Sequence, residues 1–204
     1  MSAVKLLLYV NDIPIVNPFN RKTSWVIWII ILVSYGYMAG IVMSGASGKI
    51  NAVADNSSCS KPLDLIVTGI DYDESYLSLE CMGLQGRMAY KQIAVWQDSA
   101  YPLVYGSLFF FTLLCLSSYC TKVKIIILAC CSLPILTVTS DFLENYFIVK
   151  LIDEFPALNA DTIKMLSFFN SAKWIIFFVQ AVLIVLFSIG ALSKFLQTAR
   201  QVNK

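Results

Sequence analysis

Histidine is absent from this chain of 204 residues, and its absence excludes a good deal of chemistry. A protein without histidine lacks the commonest general base, the commonest transition-metal ligand and the usual protein ligand of haem. The sequence also has no phosphate-binding glycine loop, no nucleophile elbow, no metal-binding signature and no C-x-x-C spacing. We therefore expect neither an enzyme nor a bound cofactor or metal.

Charged residues are scarce as well. They make up 14% of the chain, against about a quarter of an ordinary globular protein, whereas hydrophobic residues make up 58%. The net charge of +2 is too small to predict a nucleic acid as a direct partner. Long uninterrupted apolar runs predict an integral membrane protein instead, with the lipid bilayer as its main surrounding.

Four apolar runs have the roughly 20 residues that a helix needs to cross a bilayer. We predict an all-α membrane protein, a bundle of four transmembrane helices at 24–43, 101–120, 125–148 and 165–192. The remaining segments are an N-terminal segment at 1–23, an external loop at 44–100, a cytoplasmic turn at 121–124, a second external loop at 149–164 and a cytoplasmic tail at 193–204. The first run is too long for the core of a signal peptide.

The distribution of lysine and arginine predicts which helix ends face the cytoplasm. Basic side chains dominate at both ends of the chain and in the turn at 121–124, where Asp12 is the only acid. Acidic side chains outnumber basic ones in the two loops on the other side. Because all three basic segments agree, we expect both termini in the cytoplasm and favour a bacterial inner membrane.

The external loop is long enough to form a small subdomain. Leu63–Ile70 and Tyr76–Met82 are rich in β-forming residues, and the polar turn Asp71–Ser75 separates them, so we predict a β-hairpin. Cys59 and Cys81 are the only cysteines outside the spans, in a compartment that permits disulfides. We expect a Cys59–Cys81 disulfide at the base of the hairpin. The alternative is two free thiols in an inverted topology.

Spans three and four carry charged residues that interrupt their apolar runs. Asp141 and Glu144 lie in the third span and Lys173 in the fourth, where an unpaired charge costs about 3 kcal/mol or more. Counting away from the connecting loop in both directions brings Asp141 opposite Lys173 and Glu144 opposite Asn170. The sequence therefore predicts a polar seam between the two helices. Its residues are Asp141, Glu144 and Thr137 on one helix and Asn170, Lys173 and Gln180 on the other.

Two interpretations of this seam stay open. Ion pairs and amide hydrogen bonds would fix the register of two helices in a medium where apolar contacts between helices give little. Alternatively, two carboxylates beside one lysine leave an excess negative charge, and burial favours a proton on one of them. Such a group would be an ion or proton site, because intramembrane carboxylates of transporters are commonly functional.

Small residues recur every fourth position on the first span. Gly36, Gly40 and Ser44 form a line along which a second helix can approach closely, within the bundle or between protomers. Four short helices leave little room for a pore inside one chain. Conduction would therefore need a homo-oligomer.

The sequence TSDFLEN at 139–145, followed by SAKW at 171–174, resembles a pattern in small bacterial four-helix membrane proteins. Those proteins have an Asp-x-x-Glu-Asn helix and then a lysine-bearing helix. The resemblance covers spans three and four and implies no activity. In size and topology the chain is also similar to the membrane subunit of the Kiwa anti-phage system.

We expect a non-enzymatic, self-associating membrane protein that acts as a sensor, an anchor or an accessory subunit for a cytoplasmic protein partner. The similarity to the Kiwa subunit implies a setting in bacterial antiviral defence. The alternative is an oligomeric ion channel or a proton-linked carrier that uses the cluster of Asp141, Glu144 and Lys173.

Overall fold

The computed structural model describes residues 21–58, 61–67, 69–121 and 123–202, so most of the N-terminal segment at 1–23 lies outside it. Helix α1, Arg21–Tyr37, continues through a π-helical turn, Met38–Met43, into α2, Ser44–Val53. A short 3₁₀ turn follows at Leu63–Leu65. The three long helices are α3, Tyr72–Cys120, α4, Lys124–Glu154, and α5, Ala160–Val202.

Four helices are long and apolar enough to cross a membrane. They are the α1–α2 segment over Val26–Val53, all of α3, all of α4, and α5 over Ala160–Lys194. Large apolar side chains stand exposed along their outer faces, among them Val33, Ile41, Ile175 and Leu186. Continuous apolar surface of this kind is what lipid covers in a multi-pass membrane protein. The predicted all-α fold with four apolar helices is confirmed.

Helix α3 is the centre of the packing, because α1, α2, α4 and α5 all contact it. Its approach to α4 is especially close at Gly106. A Cβ atom on Gly106 would lie 2.3 Å from Cγ2 of Val138, a separation that no side chain tolerates. The missing side chain therefore lets the two helices meet closely enough for hydrogen bonds between neighbouring residues.

The β-hairpin predicted for the external loop is wrong. Leu63–Leu65 is a single 3₁₀ turn, Tyr76–Met82 belongs to the first turns of α3, and no strand occurs in the described ranges. Most of the loop predicted at 44–100 is also helical, since α2 and the first half of α3 fall within it. Helix α3 thus begins long before the apolar run at 101–120.

A helix-capping pattern explains why this segment is helical. The carboxylate of Asp71 accepts a hydrogen bond of 2.8 Å from the backbone N–H of Glu74, so the turn residue caps a helix. The acid at Glu74 completes the spacing of a capping box. The buried residues that follow recur at helical intervals, at Ser75, Ser78, Leu79 and Met82. This periodicity outweighs the β-propensity of the individual residues.

Gly83 interrupts α3 and separates its first turns from the rest. Its backbone has φ 61° and ψ −176°, a conformation that side chains disfavour. A Cβ there would also lie 2.0 Å from Oδ2 of Asp55, so glycine is needed for space as well. The helix therefore bends here, and Leu79 and Met82 before the bend bury their side chains in an apolar core.

The largest apolar core lies at the end of the bundle where α4 and α5 are linked. Leu63 and Ile66 in and beside the 3₁₀ turn and Leu79 and Met82 of α3 bury their side chains in it. They pack against the C-terminal end of α4 and the N-terminal end of α5. Cys81 is disulfide-bonded. Its expected partner Cys59 lies outside the described residues, so the Cys59–Cys81 pairing stays a prediction.

Gly106 and Gly48 allow a matched test of the close contact between α3 and α4. Gly106→Ala should lower the stability by about 1–3 kcal/mol, because the new methyl group overlaps Val138. The control Gly48→Ala, where the added atom meets nothing within 4 Å, should be neutral or gain up to about 1 kcal/mol. Thermal unfolding in detergent measures both, and Val138→Ala should restore the first variant. Equal effects of the two glycine substitutions would contradict the contact.

Candidate functional site

The structure brings the residues of the predicted seam together between α4 and α5. Nζ of Lys173 lies 3.5 Å from Oδ1 of Asp141 and makes a closer ion pair with Oε2 of Glu144. The three side chains are only 12%, 5% and 0% exposed, respectively. Removing either partner from such a pair would leave a buried charge uncompensated.

Amide hydrogen bonds extend the seam on both sides of the ion pairs. Nδ2 of Asn170 donates to Oε1 of Glu144 at 2.8 Å. Further along the helices, Nε2 of Gln180 donates to Oγ1 of Thr137 at 2.5 Å. Asn170, Gln180 and Thr137 are fully buried. All six residues of the seam thus take part in contacts between the same two helices.

Helix α3 adds a residue that the sequence analysis missed. The hydroxyl of Tyr105, next to Gly106, donates a hydrogen bond of 2.6 Å to Oδ2 of Asp141. Asp141 therefore receives a hydrogen bond from α3 and lies in an ion pair with α5 at the same time. Asp98 and Tyr105 are seven residues apart on α3 and lie on the same face. Extending the second predicted span as a helix before residue 101 would therefore have identified both residues as candidates for this site.

Asp141 and Lys173 of the seam, together with Tyr105, line one cavity of about 340 Å³ between the 3₁₀ turn and the helices. Its charged residues come from four places in the chain. They are Asp64 of the 3₁₀ turn, Asp98 of α3, Asp141 of α4 and Lys173 of α5. The aromatic residues are Tyr35, Tyr101, Tyr105, Trp174 and Phe177, and the wall is completed by Ala39, Met43 and Leu65.

A buried tyrosine holds the 3₁₀ turn at this cavity. The hydroxyl of Tyr90 on α3 donates to Oδ1 of Asp64 at 2.7 Å and accepts from the backbone N–H of Leu63 at 2.9 Å. Both Tyr90 and Leu63 are almost completely buried. The carboxylate of Asp64 is thereby fixed beside the helix bundle, although the sequence analysis assigned it to an external loop.

Asp98 is the least satisfied charge of the site. Its residue is 6% exposed, and its backbone carbonyl accepts a hydrogen bond of 3.1 Å from Nδ2 of Asn145. Within the described part of the chain, its carboxylate has neither a hydrogen-bond partner nor an ion-pair partner. Lys173, the cation of this cavity, is already paired with Asp141 and Glu144.

The ion pairs of Asp141, Glu144 and Lys173 occupy only part of the length of the bundle. Beyond Thr137 and Gln180, towards the ends predicted to be cytoplasmic, α3 and α4 meet through an apolar cluster. Leu114, Ile127 and Cys131 are buried in it, and Phe110 packs against them. Along α3, this cluster lies between the charged cavity and the end of the bundle at the α3–α4 turn.

The small residues of the first span face away from their own bundle. A Cβ on Gly36 or Gly40 would meet no described atom within 4 Å, and the hydroxyl of Ser44 donates to the carbonyl of Gly40 at 2.7 Å. The line therefore makes no close contact inside the described part of this chain. Packing between protomers stays a prediction.

Among the described residues, no group of three or more metal-ligating side chains lies close enough to hold a metal ion. The carboxylates of the cavity are spread around its walls.

No known protein family, curated protein or solved structure matches the chain. The chemistry of the site therefore rests on the residues themselves.

The contribution of the Lys173 ion pairs to stability can be measured by removing the charge of Lys173. Lys173→Met should lower the stability in detergent by about 3–5 kcal/mol, because Asp141 and Glu144 both lose their counter-charge. The matched control is Lys164→Met, which breaks an ion pair with Asp161 whose side chains are 77% and 87% exposed. Its effect should be negligible. Adding Glu144→Gln to Lys173→Met should recover part of the loss, and a loss as small as that of the control would contradict the role of the pairs.

Tyr90→Phe tests whether one hydroxyl holds the 3₁₀ turn. The variant keeps the ring and removes the hydrogen bonds to Asp64 and Leu63, at a cost of about 1–3 kcal/mol. We expect faster hydrogen exchange at the backbone N–H groups of Leu63 and Asp64. Tyr72→Phe, on the exposed side of the same helix, is the control and should leave both rates unchanged. Equal rates in the two variants would show that the turn is held by apolar packing alone.

Proposed function

We propose that this protein is a non-enzymatic, multi-pass membrane protein that serves as a sensor and accessory subunit. The buried charged cavity links its external segment to the helices that reach the cytoplasm. One observation carries the proposal: Asp64 of the 3₁₀ turn lines the same cavity as Asp141 and Lys173. A change in the external segment therefore acts directly on the ion pairs between α4 and α5.

The orientation follows from the charge distribution. The segments in which acids outnumber bases lie at the end with the large apolar core, and the segments in which bases dominate lie at the other end. At that basic end, Nζ of Lys194 donates to the backbone carbonyls of Tyr119 and Cys120 at 3.1 and 2.8 Å. A lysine bound to the last carbonyls of a helix is favourable. We assign both termini to the cytoplasm and the protein to a bacterial inner membrane.

The ion pairs give the site a means of responding. Lys173 serves two carboxylates at once, and two more line the cavity. In a medium of low dielectric constant, a displacement of Asp64 changes the potential at Lys173 by far more than it would in water. The sharing of Lys173 between Asp141 and Glu144 then shifts, and α5 moves with it. Because Lys194 ties α5 to the end of α3, this movement reaches the cytoplasmic surface, where a protein partner would bind.

The similarity in size and topology to the membrane subunit of the Kiwa system suggests a setting for this sensor. An accessory membrane subunit of an anti-phage system would report a disturbance at the envelope to a cytoplasmic protein. Self-association through the open line of Gly36, Gly40 and Ser44 fits that role, because small residues allow two protomers to approach closely.

An oligomeric channel or proton-linked carrier is the second candidate. The excess of carboxylates over lysine in the cavity favours it. The apolar cluster of Leu114, Ile127 and Cys131 argues against a path through one protomer, since it lies between the cavity and the cytoplasmic end. Conduction would then require that cluster to open or a path between protomers.

Removing the charge of Asp64 tests the coupling. Asp64→Asn should change hydrogen exchange at the inner end of α5, at residues 190–197, and reduce the amount of soluble partner recovered with the tagged protein from membranes. Asp73→Asn, an exposed acid on the first turn of α3, removes the same charge outside the cavity and is the control. An unchanged inner end in Asp64→Asn would contradict the sensor.

Liposomes that hold the wild-type protein alone separate the two candidates. The sensor predicts no proton or cation flux above that of empty liposomes. Flux that Asp141→Asn abolishes, together with no recovered partner, would establish the carrier or channel instead.

A further inference from the structure

We propose that the cavity binds a small organic cation of the alkylammonium class, held by the carboxylate of Asp98 between aromatic walls. The inference names the chemical class of the signal at the site described above, and in that respect it rests on the proposed function. Four independent features of the cavity carry it: an unpaired carboxylate, an excess of negative charge, the aromatic walls and the volume.

The first feature is the unpaired carboxylate of Asp98. The residue is more than nine-tenths buried, lines the cavity, and has no side-chain partner among the described residues. Its backbone is held in place, because Asn145 donates to its carbonyl. Buried carboxyl groups are otherwise paired, hydrogen-bonded or protonated, so the ionised form of an unpartnered one that faces a cavity needs a counter-charge from outside the chain.

The second feature is the charge balance of the walls. Asp64, Asp98 and Asp141 line the cavity with Lys173 as their cation, and Lys173 also neutralises Glu144. Asp64 and Asp141 each receive a tyrosine hydroxyl, which eases their burial without adding charge. A guest that carries a positive charge reduces the remaining excess, whereas an anion or a neutral guest does not.

The third feature is the aromatic lining. Tyr35 and Tyr101 stack with ring centroids 6.1 Å apart, and Tyr101 meets Tyr105 edge to face at 5.3 Å. On the other wall, the rings of Trp174 and Phe177 are 5.8 Å apart. Aromatic faces attract cations through their quadrupole, and a cage of such rings recognises ammonium groups whose alkyl substituents shed water easily.

The fourth feature is the volume, which separates an organic cation from a metal ion. A bound Ca²⁺ or Mg²⁺ needs several oxygen ligands that converge within about 2.0–2.6 Å. No such convergence occurs among the described residues. The volume of about 340 Å³ also lies at the small end of the range of organic ligand sites, and it far exceeds the space of a bare ion.

Choline and its neutral carbon isostere, 3,3-dimethyl-1-butanol, test the proposal on the purified full-length protein in detergent. The two probes have nearly the same shape and differ in the positive charge. Isothermal titration calorimetry should show saturable binding of choline and none of the isostere. Choline binding should weaken as the pH falls, because a proton and the cation compete for the same carboxylate.

Asp98→Asn is the decisive variant, and it should change two properties in opposite directions. Choline affinity should fall by roughly tenfold or more, because the ion-pair partner is lost. Thermal stability without ligand should rise, because a buried unpaired charge is removed. Asp161→Asn, an exposed acid at the start of α5, removes the same charge far from the cavity and should change neither property.

Three results would overturn the proposal: no choline binding at any pH, equal binding of the isostere, or full affinity in Asp98→Asn. None of them bears on the coupling measured with Asp64→Asn, so the ligand class and the sensor role fail separately. If Asp98→Asn does not fold, the comparison of choline with its isostere and the pH competition on the wild-type protein still decide the question.

Discussion

The pairing of one lysine with two carboxylates is the interaction around which this bundle is organised. Lys173 cannot lie among apolar helices without a counter-charge, and Asp141 and Glu144 cannot lie there without it. Their separation along α4 and the position of Lys173 on α5 fix the relative depth of the two helices. Tyr105 then fixes α3, because its hydroxyl reaches Asp141 only when Gly106 lets the helices come close. Three long helices are thus held in register by one buried cluster.

The cluster also carries more negative charge than packing requires. A register could be fixed by Lys173 and one carboxylate, with amides such as Asn170 and Gln180 satisfying the rest. Asp98 adds a further carboxylate without adding a partner. Groups that reduce stability and remain buried are found where a protein binds or responds to something. For this reason the proposed binding role falls to the cavity, whereas the seam beside it fixes the register of the helices.

The sequence was sufficient to predict the seam and insufficient to predict the cavity. Helices α4 and α5 follow one another with a short link, so counting residues along two antiparallel helices locates Asp141 against Lys173. Asp98 and Asp64 are far from Asp141 and Lys173 in sequence, and no short link fixes their position relative to the seam. The apolar run of the second span starts at about Tyr101, and hydropathy alone gives no sign that the helix begins at Tyr72. The capping pair of Asp71 and Glu74 is the feature of the sequence that favours a helix at this point, in spite of the β-propensity of the residues around it.

The small residues illustrate the same limit. Gly36, Gly40 and Ser44 have the spacing of a packing line, yet they are exposed, and no described atom lies within 4 Å of a Cβ added to either glycine. Gly106 has no such neighbours in sequence, and it makes the close contact. Spacing shows which residues of one helix share a face, whereas the choice of face depends on the partner helix. In this protein the buried charges determine which helix faces meet. The spacing of small residues gives no information about those charges.

Two different forces meet at the cavity. At the end of the bundle where α4 and α5 are linked, the apolar core formed by the 3₁₀ turn, α2, α3, α4 and α5 is stabilised by the exclusion of water. Inside a bilayer that force vanishes between helices, and ion pairs and hydrogen bonds replace it. Asp64 follows Leu63 of the apolar core, but its side chain lines the charged cavity. A guest that neutralises charge in the cavity therefore changes the balance between the two regions without breaking either. The proposed conversion of ligand binding into helix movement would act at this border.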